Sequence, residues 1–336
     1  MRDVVTGAFS YSGAAVAAEL RRRGRAVRTL TNHPAPEALG MEVHPLDLTN
    51  PDALRRSLTG VDVLYNTYWV RFPHGEVTFD AAVEASARLF EAAAEAGVRR
   101  IVHVSITHAD VASPYAYFRG KGRVERSLAA CGVSHAVVRP AILFGGEGVL
   151  INNIAWLMRR FPVMLVGGGG DYRVRGIHVA DLATLMADLG DEEGTTTTDA
   201  VGPQSLAFVD LLGHLRTATG SHTRFAPVPG RAFPAVTWAL GRVLRDTLLT
   251  REEYLAMADG LADSDAPSTG ATSITEWIAR NGDSLGRTYA HELRRHFLPR
   301  PDRTVAGADR ALSRGRRGSS GAPRPPWTGS SARRRC

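Results

Sequence analysis

Asp3-Val4-Val5-Thr6-Gly7-Ala8-Phe9-Ser10-Tyr11-Ser12-Gly13-Ala14 is the stretch that decides the fold. A β-branched apolar run turns at Gly7 and passes through Gly13 into an alanine-rich helical pattern, which is the strand-turn-helix setting of a dinucleotide fingerprint. The spacing is G-x-x-S-x-x-G. Gly7 permits the tight turn, Gly13 allows close packing of helix on strand, and the helix N-terminus offers backbone N–H groups to a pyrophosphate. Phe9, Ser10 and Tyr11 fill the turn and join the two glycines as candidate cofactor contacts. Ser10 stands where a second glycine usually lets the backbone approach the phosphates, so the fingerprint is incomplete. A plain βα turn is the competing reading of these residues.

Outward from this turn, short strand patterns alternate with helical ones. Strands are expected near 26–31, 41–47, 61–66, 101–105 and 134–140, and helices near 14–23, 51–58, 79–96 and 115–130. That rhythm means right-handed parallel βαβ units, hence an α/β fold of Rossmann type: a doubly wound parallel sheet covered on both faces. After residue 145 the rhythm becomes irregular, with helices near 150–160, 206–217 and 235–245, a strand near 172–179 and a glycine run from Gly167 to Gly170. The expected organisation is a nucleotide-binding core over 1–145, a smaller C-terminal substrate lobe over 146–299 and a disordered basic tail over 300–336.

Charge supports this division. The formal charge of the 336 residues is +7, but residues 300–336 hold ten Arg against two Asp, and the remaining 299 residues carry 31 basic and 32 acidic side chains. A nearly neutral body is no footprint for a polyanion, so no nucleic-acid partner is expected for it. Two cysteines, Cys131 and Cys336, offer neither a disulfide framework nor a thiolate metal site. No signal-peptide core and no run of about 20 apolar residues is present, so a cytoplasmic location without a transmembrane segment is expected. His291 and His296 suggest a zinc helix but lie five apart, about 140° around a helix, so no metal is expected.

Of the 41 basic residues, 40 are Arg and one is Lys121. Tyr117 precedes it by four on the same predicted helix face, and Ser105 closes a predicted central strand. With eight tyrosines in the chain, a lone lysine would follow one at this spacing in about 2% of random placements. The chemistry explains why arginine does not replace it. A compact ammonium can reach ribose hydroxyls and a neighbouring phenol, lowering the phenol from its usual pKa of about 10, whereas a guanidinium is planar and never gives up its proton. Tyr117 is then the candidate general acid or base, with Ser105 bonded to the carbonyl oxygen and Thr107 as the fallback for Ser105. The competing reading is a surface Tyr and Lys at helical spacing. Asn32, at the end of the second strand, offers neither the acid that favours a ribose 2′-hydroxyl nor the base that favours a 2′-phosphate, which tilts the cofactor, NAD(P)(H), only slightly toward NADP(H). Asp47 and Leu48 are placed to edge the adenine, although Asp47 could equally cap the following helix.

These residues resemble the short-chain dehydrogenase/reductase superfamily: Thr6 to Gly13, the Ser105, Tyr117 and Lys121 set, and Arg139-Pro140. Three further stretches, Asn66-Thr67-Tyr68-Trp69-Val70-Arg71-Phe72, Phe118-Arg119-Gly120-Lys121 and Ile151-Asn152-Asn153-Ile154-Ala155-Trp156-Leu157, are similar to its atypical/extended branch, which includes epimerase-like and NmrA-like proteins and a complex I accessory subunit. The resemblance implies a Rossmann fold, a bound NAD(P)(H) and a small-molecule substrate. Asn66 and Thr67 then join the cofactor residues, and Trp69, Arg71 and Phe72 are candidates for the substrate wall. The expected activity is an oxidoreductase or epimerase acting on a small carbonyl or alcohol, quinone-like compounds included; many relatives bind the nucleotide without demonstrated turnover, so a redox sensor or assembly subunit is the alternative. The oligomeric state is not readable from the sequence.

Overall fold

A computed structural model describes residues 1–32, 40–146 and 148–291. His33, the tail over 300–336 and His296 lie outside the described residues. The core elements are β1 (Arg2–Thr6), α1 (Tyr11–Arg22), β2 (Ala26–Leu30), β3 (Glu42–His44), α2 (Pro51–Leu58), β4 (Val63–Asn66), α3 (Phe79–Glu95), β5 (Arg100–Val104), α4 (Ala116–Ala130) and β6 (Ser134–Pro140). They are followed by β7 (Ile142–Phe144), α5 (Val149–Arg160), β8 (Val163–Gly167), β9 (Arg173–His178), α6 (Val179–Asp191), β10 (Thr196–Ala200), β11 (Ser205–Ala207), α7 (Phe208–Thr219), β12 (Arg224–Val228), α8 (Phe233–Leu244), α9 (Arg251–Ala258) and α10 (Ile274–Asn281).

Seven strands form one sheet in the order β10-β6-β5-β4-β1-β2-β3, and every pairing in it is parallel. The strand sequences show why both faces must be covered. Val4, Leu64, Ile101 and Val137 point into an apolar cluster with Leu54, Leu89, Phe90, Val124 and Leu128 of α2, α3 and α4. Their chain neighbours Val5, Val63, Val102 and Val138 point the other way, into Val16 and Leu20 of α1 and Leu182 and Met186 of α6. The reversal of strand order between β1 and β4 opens a crevice at the C-terminal ends of the strands, where such sheets take their ligands.

The sheet also draws on the chain beyond residue 145. Helix α6 packs against α1, and β10 adds the edge strand beside β6, so residues 179–200 complete the layers built by the first part of the chain. The pattern of 179–191 is apolar on its inner face, but the preceding irregular stretch hid it. The rest of the later chain forms a three-stranded sheet β11-β9-β7, a parallel pair β12-β8 and a separate apolar cluster around Ile151, Phe208, Leu212 and Ile278.

Candidate functional site

The turn after β1 is built as the glycine spacing requires. Gly7 has φ +68°, its amide donates to the Leu30 carbonyl at 2.8 Å, and its carbonyl accepts from Ser10 N at 2.8 Å. A Cβ on Gly13 would stand 2.2 Å from the Gly7 carbonyl oxygen, so only glycine lets α1 lie this close to the strand. Ser10 occupies the N-cap of α1 without a side-chain cap bond, and no acidic residue stands in the first turn. With no side-chain cap, the N–H groups of Ser12 and Gly13 face the N-terminal end of α1, where a pyrophosphate would bind, and these residues fit a dinucleotide. Phe9 is half-buried beside them, and the Tyr11 hydroxyl donates to the Gly145 carbonyl at 2.7 Å.

The remaining candidate cofactor residues are engaged within the chain. The Asn32 amide makes two bonds to Leu46, donating to its carbonyl at 2.9 Å and accepting from its N–H at 3.1 Å. Asp47 accepts from the Thr49 hydroxyl at 2.7 Å and its N–H at 3.0 Å, which hold its carboxyl below the usual range. Asn50, and not Asp47, caps α2. Leu48 packs partly into the core, and its carbonyl accepts from Arg88. Asn66 is fully buried, accepting from the Thr6 hydroxyl at 3.0 Å and meeting His103 Nδ1 at 3.1 Å, while the Thr67 hydroxyl donates to the Thr6 carbonyl at 2.6 Å. These two therefore stitch β4 to β1 and β5 beneath the crevice.

Tyr117, Lys121 and Trp69 meet at the rim. Trp69 stacks on Phe79 at 5.9 Å between ring centroids, and Tyr117 presents its edge to both rings at 5.8 and 5.7 Å. Lys121 Nζ sits 4.6 Å from the Trp69 ring centroid and donates to the Val104 carbonyl at 2.8 Å. Gly120 makes the approach possible, since a Cβ there would lie 3.1 Å from the indole. Lys121 is only 2% exposed, and this burial pulls its pKa down to about 7, against a smaller opposing pull from Glu125. Burial likewise pushes the Tyr117 phenol up, with the Glu253 carboxylate adding to the rise and Arg71 opposing it. The lowered phenol expected from the sequence is thus reversed, because desolvation of the phenolate dominates.

Ser105 lies 4% exposed directly after β5, but its hydroxyl donates to Glu125, whose carboxylate also takes both arms of Arg139. The fallback Thr107 donates to the Leu261 carbonyl at 3.0 Å. Glu125 escaped the sequence reading, although it continues the Tyr117 and Lys121 spacing by one more helical step. Arg71 pairs with Glu253 at 2.8 Å and reaches the Leu248 carbonyl, with Phe72 buried under its guanidinium. Glu252 accepts from the Tyr117 backbone N–H at 3.0 Å, so α9 closes over the rim that carries Tyr117. Neither glutamate could have been found from the sequence, since they lie more than 130 residues from their partners.

Residues 7–190 of this chain match the family described as NAD(P)H-binding. The chain belongs to this NAD(P)H-binding family. It sits within the atypical short-chain dehydrogenase/reductase superfamily that its motifs resemble. The mitochondrial NADH-ubiquinone oxidoreductase 40 kDa subunit of Neurospora crassa is 25% identical over 210 residues, which cover 62% of this chain and 55% of that one. The chain therefore spans about half the length of that relative. Among solved structures, the Citrobacter triphenylmethane reductase complexed with NADP(H) superposes with a TM-score of 0.70 at 18% identity, over 84% of this chain and all of that one. The Escherichia coli NADPH-dependent quinone oxidoreductase gives 0.69 at 22% identity, over 83% and 99%. Among the described residues no helix is long and apolar enough to cross a membrane.

Proposed function

We propose that this NAD(P)H-binding chain is an oxidoreductase that reduces a small carbonyl or quinone-like acceptor, with Tyr117 as the proton donor. The observation that carries this reading is the gathering of Tyr117 and the buried Lys121 around the half-buried Trp69 ring, at the strand ends that also carry the Gly7 to Gly13 cradle. A bound reduced dinucleotide supplies a hydride equivalent. Gly7, Gly13 and the first turn of α1 hold its pyrophosphate, with Phe9, Ser10 and Tyr11 beside them. Lys121, held over Trp69, is placed to take the ribose hydroxyls and to fix charge near the phenol. Tyr117, whose phenol burial keeps protonated at neutral pH, gives its proton to the acceptor oxygen as the oxygen gains charge. Burial makes the phenol a weak acid, so its proton moves only as the acceptor oxygen becomes the more basic alkoxide.

The stacked rings of Trp69 and Phe79 favour a flat apolar acceptor, and Arg71, neutralised by Glu253, adds no demand for an anionic one. The NADP(H) of the Citrobacter structure and the NADPH dependence of the Escherichia coli enzyme support a preference for NADP(H), as does the lack of a carboxylate at Asn32 to repel a 2′-phosphate. The second reading is a nucleotide-binding sensor or assembly subunit, favoured by the Ser105 hydroxyl being directed at Glu125 and by likeness to the complex I subunit. The test is loss of reduced-nicotinamide absorbance across quinones, ketones and nucleotide sugars. Turnover of an apolar acceptor supports the reductase; tight nucleotide binding with no turnover on the panel supports the sensor.

A further inference from the structure

Helix α8 turns its apolar side outward. Ala235, Trp238, Ala239 and Arg242 follow one another at i, i+3, i+4 and i+7 and all four are exposed, Trp238 to 68%. A soluble helix presents polar side chains on that stripe. The inner side is fixed, since Phe233 is buried against the Tyr254 ring at 4.8 Å and fills the space beside Gly167. Strand β8, which α8 packs against, also leaves Val163 and Leu165 exposed to 45% and 39%.

Along the chain from 222 to 250 the exposed charges have one sign. Residues 222–250 contain Arg224, Arg231, Arg242 and Arg245, and their single acid, Asp246, is buried and accepts from the Tyr289 hydroxyl at 2.7 Å. Arg231, Arg242 and Arg245 are exposed, and the Arg242 guanidinium lies 5.9 Å from the Trp238 ring centroid. An indole with apolar neighbours and a cationic rim matches the interface of an anionic bilayer, where the ring lies at headgroup depth and arginines reach phosphates. We propose that α8 seats the protein on membranes bearing anionic phospholipid, with Trp238 entering the interface. This seat is peripheral and independent of the reductase reading.

The test uses the full chain with vesicles of phosphatidylcholine, with and without phosphatidylglycerol, and with acyl-brominated lipid as a quencher. Binding to the anionic vesicles is expected, with bromolipid quenching that Trp238→Phe removes. Trp238→Gln should weaken binding about tenfold, and each Arg→Gln change at 242 or 245 about fivefold, while circular dichroism stays that of the parent. Absence of binding to anionic vesicles overturns the proposal. So does binding that persists unchanged in Trp238→Gln without quenching, which would assign adhesion to the Arg-rich residues 300–336. A dimer dispersed by Trp238→Gln, without vesicle binding, would assign the stripe to a second copy and equally refute the membrane seat.

Discussion

Replacing Lys121 by methionine removes a buried ammonium while keeping a flexible apolar stem against Trp69. The lysine pKa falls from 10.5 to about 7 on folding, so between these values the unfolded chain binds more protons than the folded one. Stability contributed by this group therefore rises with pH across that window, by about 1.4 kcal/mol per pH unit. Below about pH 7 both states hold the proton, and the full cost of burying the charge remains. The methionine variant lacks this dependence. It also loses the bond to the Val104 carbonyl, a cost of about 1 kcal/mol that does not change with pH. Urea unfolding of both proteins from about pH 6 to about pH 9.5 should show the variant's relative advantage greatest at the acid end. That advantage should shrink by about 3 kcal/mol between about pH 7.5 and 9.5. Parallel stability profiles would refute the reasoning, since they would mean that Lys121 keeps an ordinary pKa.

Two other outcomes follow from the same geometry. Gly13→Ala places a Cβ 2.2 Å from the Gly7 carbonyl oxygen, so it should cost about 1–3 kcal/mol and abolish NADPH binding followed by nucleotide fluorescence. Glu125→Gln keeps the shape but leaves Arg139 without its charge partner, costing about 2 kcal/mol, and it should move the Lys121 titration to lower pH because Glu125 supports the ammonium. The midpoint of the stability profile described above reads that shift directly.

The core was legible because its signals are local. Continuous apolar runs in β1, β4, β5 and β6, the Gly7 to Gly13 turn and the Tyr117 to Lys121 step each depend on neighbours within a few residues. Helix α6 and strand β10 were missed because they follow the irregular segment, where the period changes over short runs. At the site, the positions of Tyr117 and Lys121 were readable, but the direction of the Tyr117 shift was not. That direction depends on how deeply Trp69, Phe79 and α9 bury the phenol, which only the tertiary packing sets. Asn32 shows the same limit from the other side, since nothing local announces that Leu46 takes both ends of its amide.

The central claim is that Tyr117 acts as proton donor in a nucleotide-loaded site, and Tyr117→Phe tests it most directly. The substitution removes one hydroxyl and keeps the ring that meets Trp69 and Phe79. NADPH affinity of the variant should equal that of the parent, while turnover of the best acceptor found in the panel falls by about 10²-fold or more. Turnover unchanged in Tyr117→Phe, with nucleotide binding intact, would contradict the account.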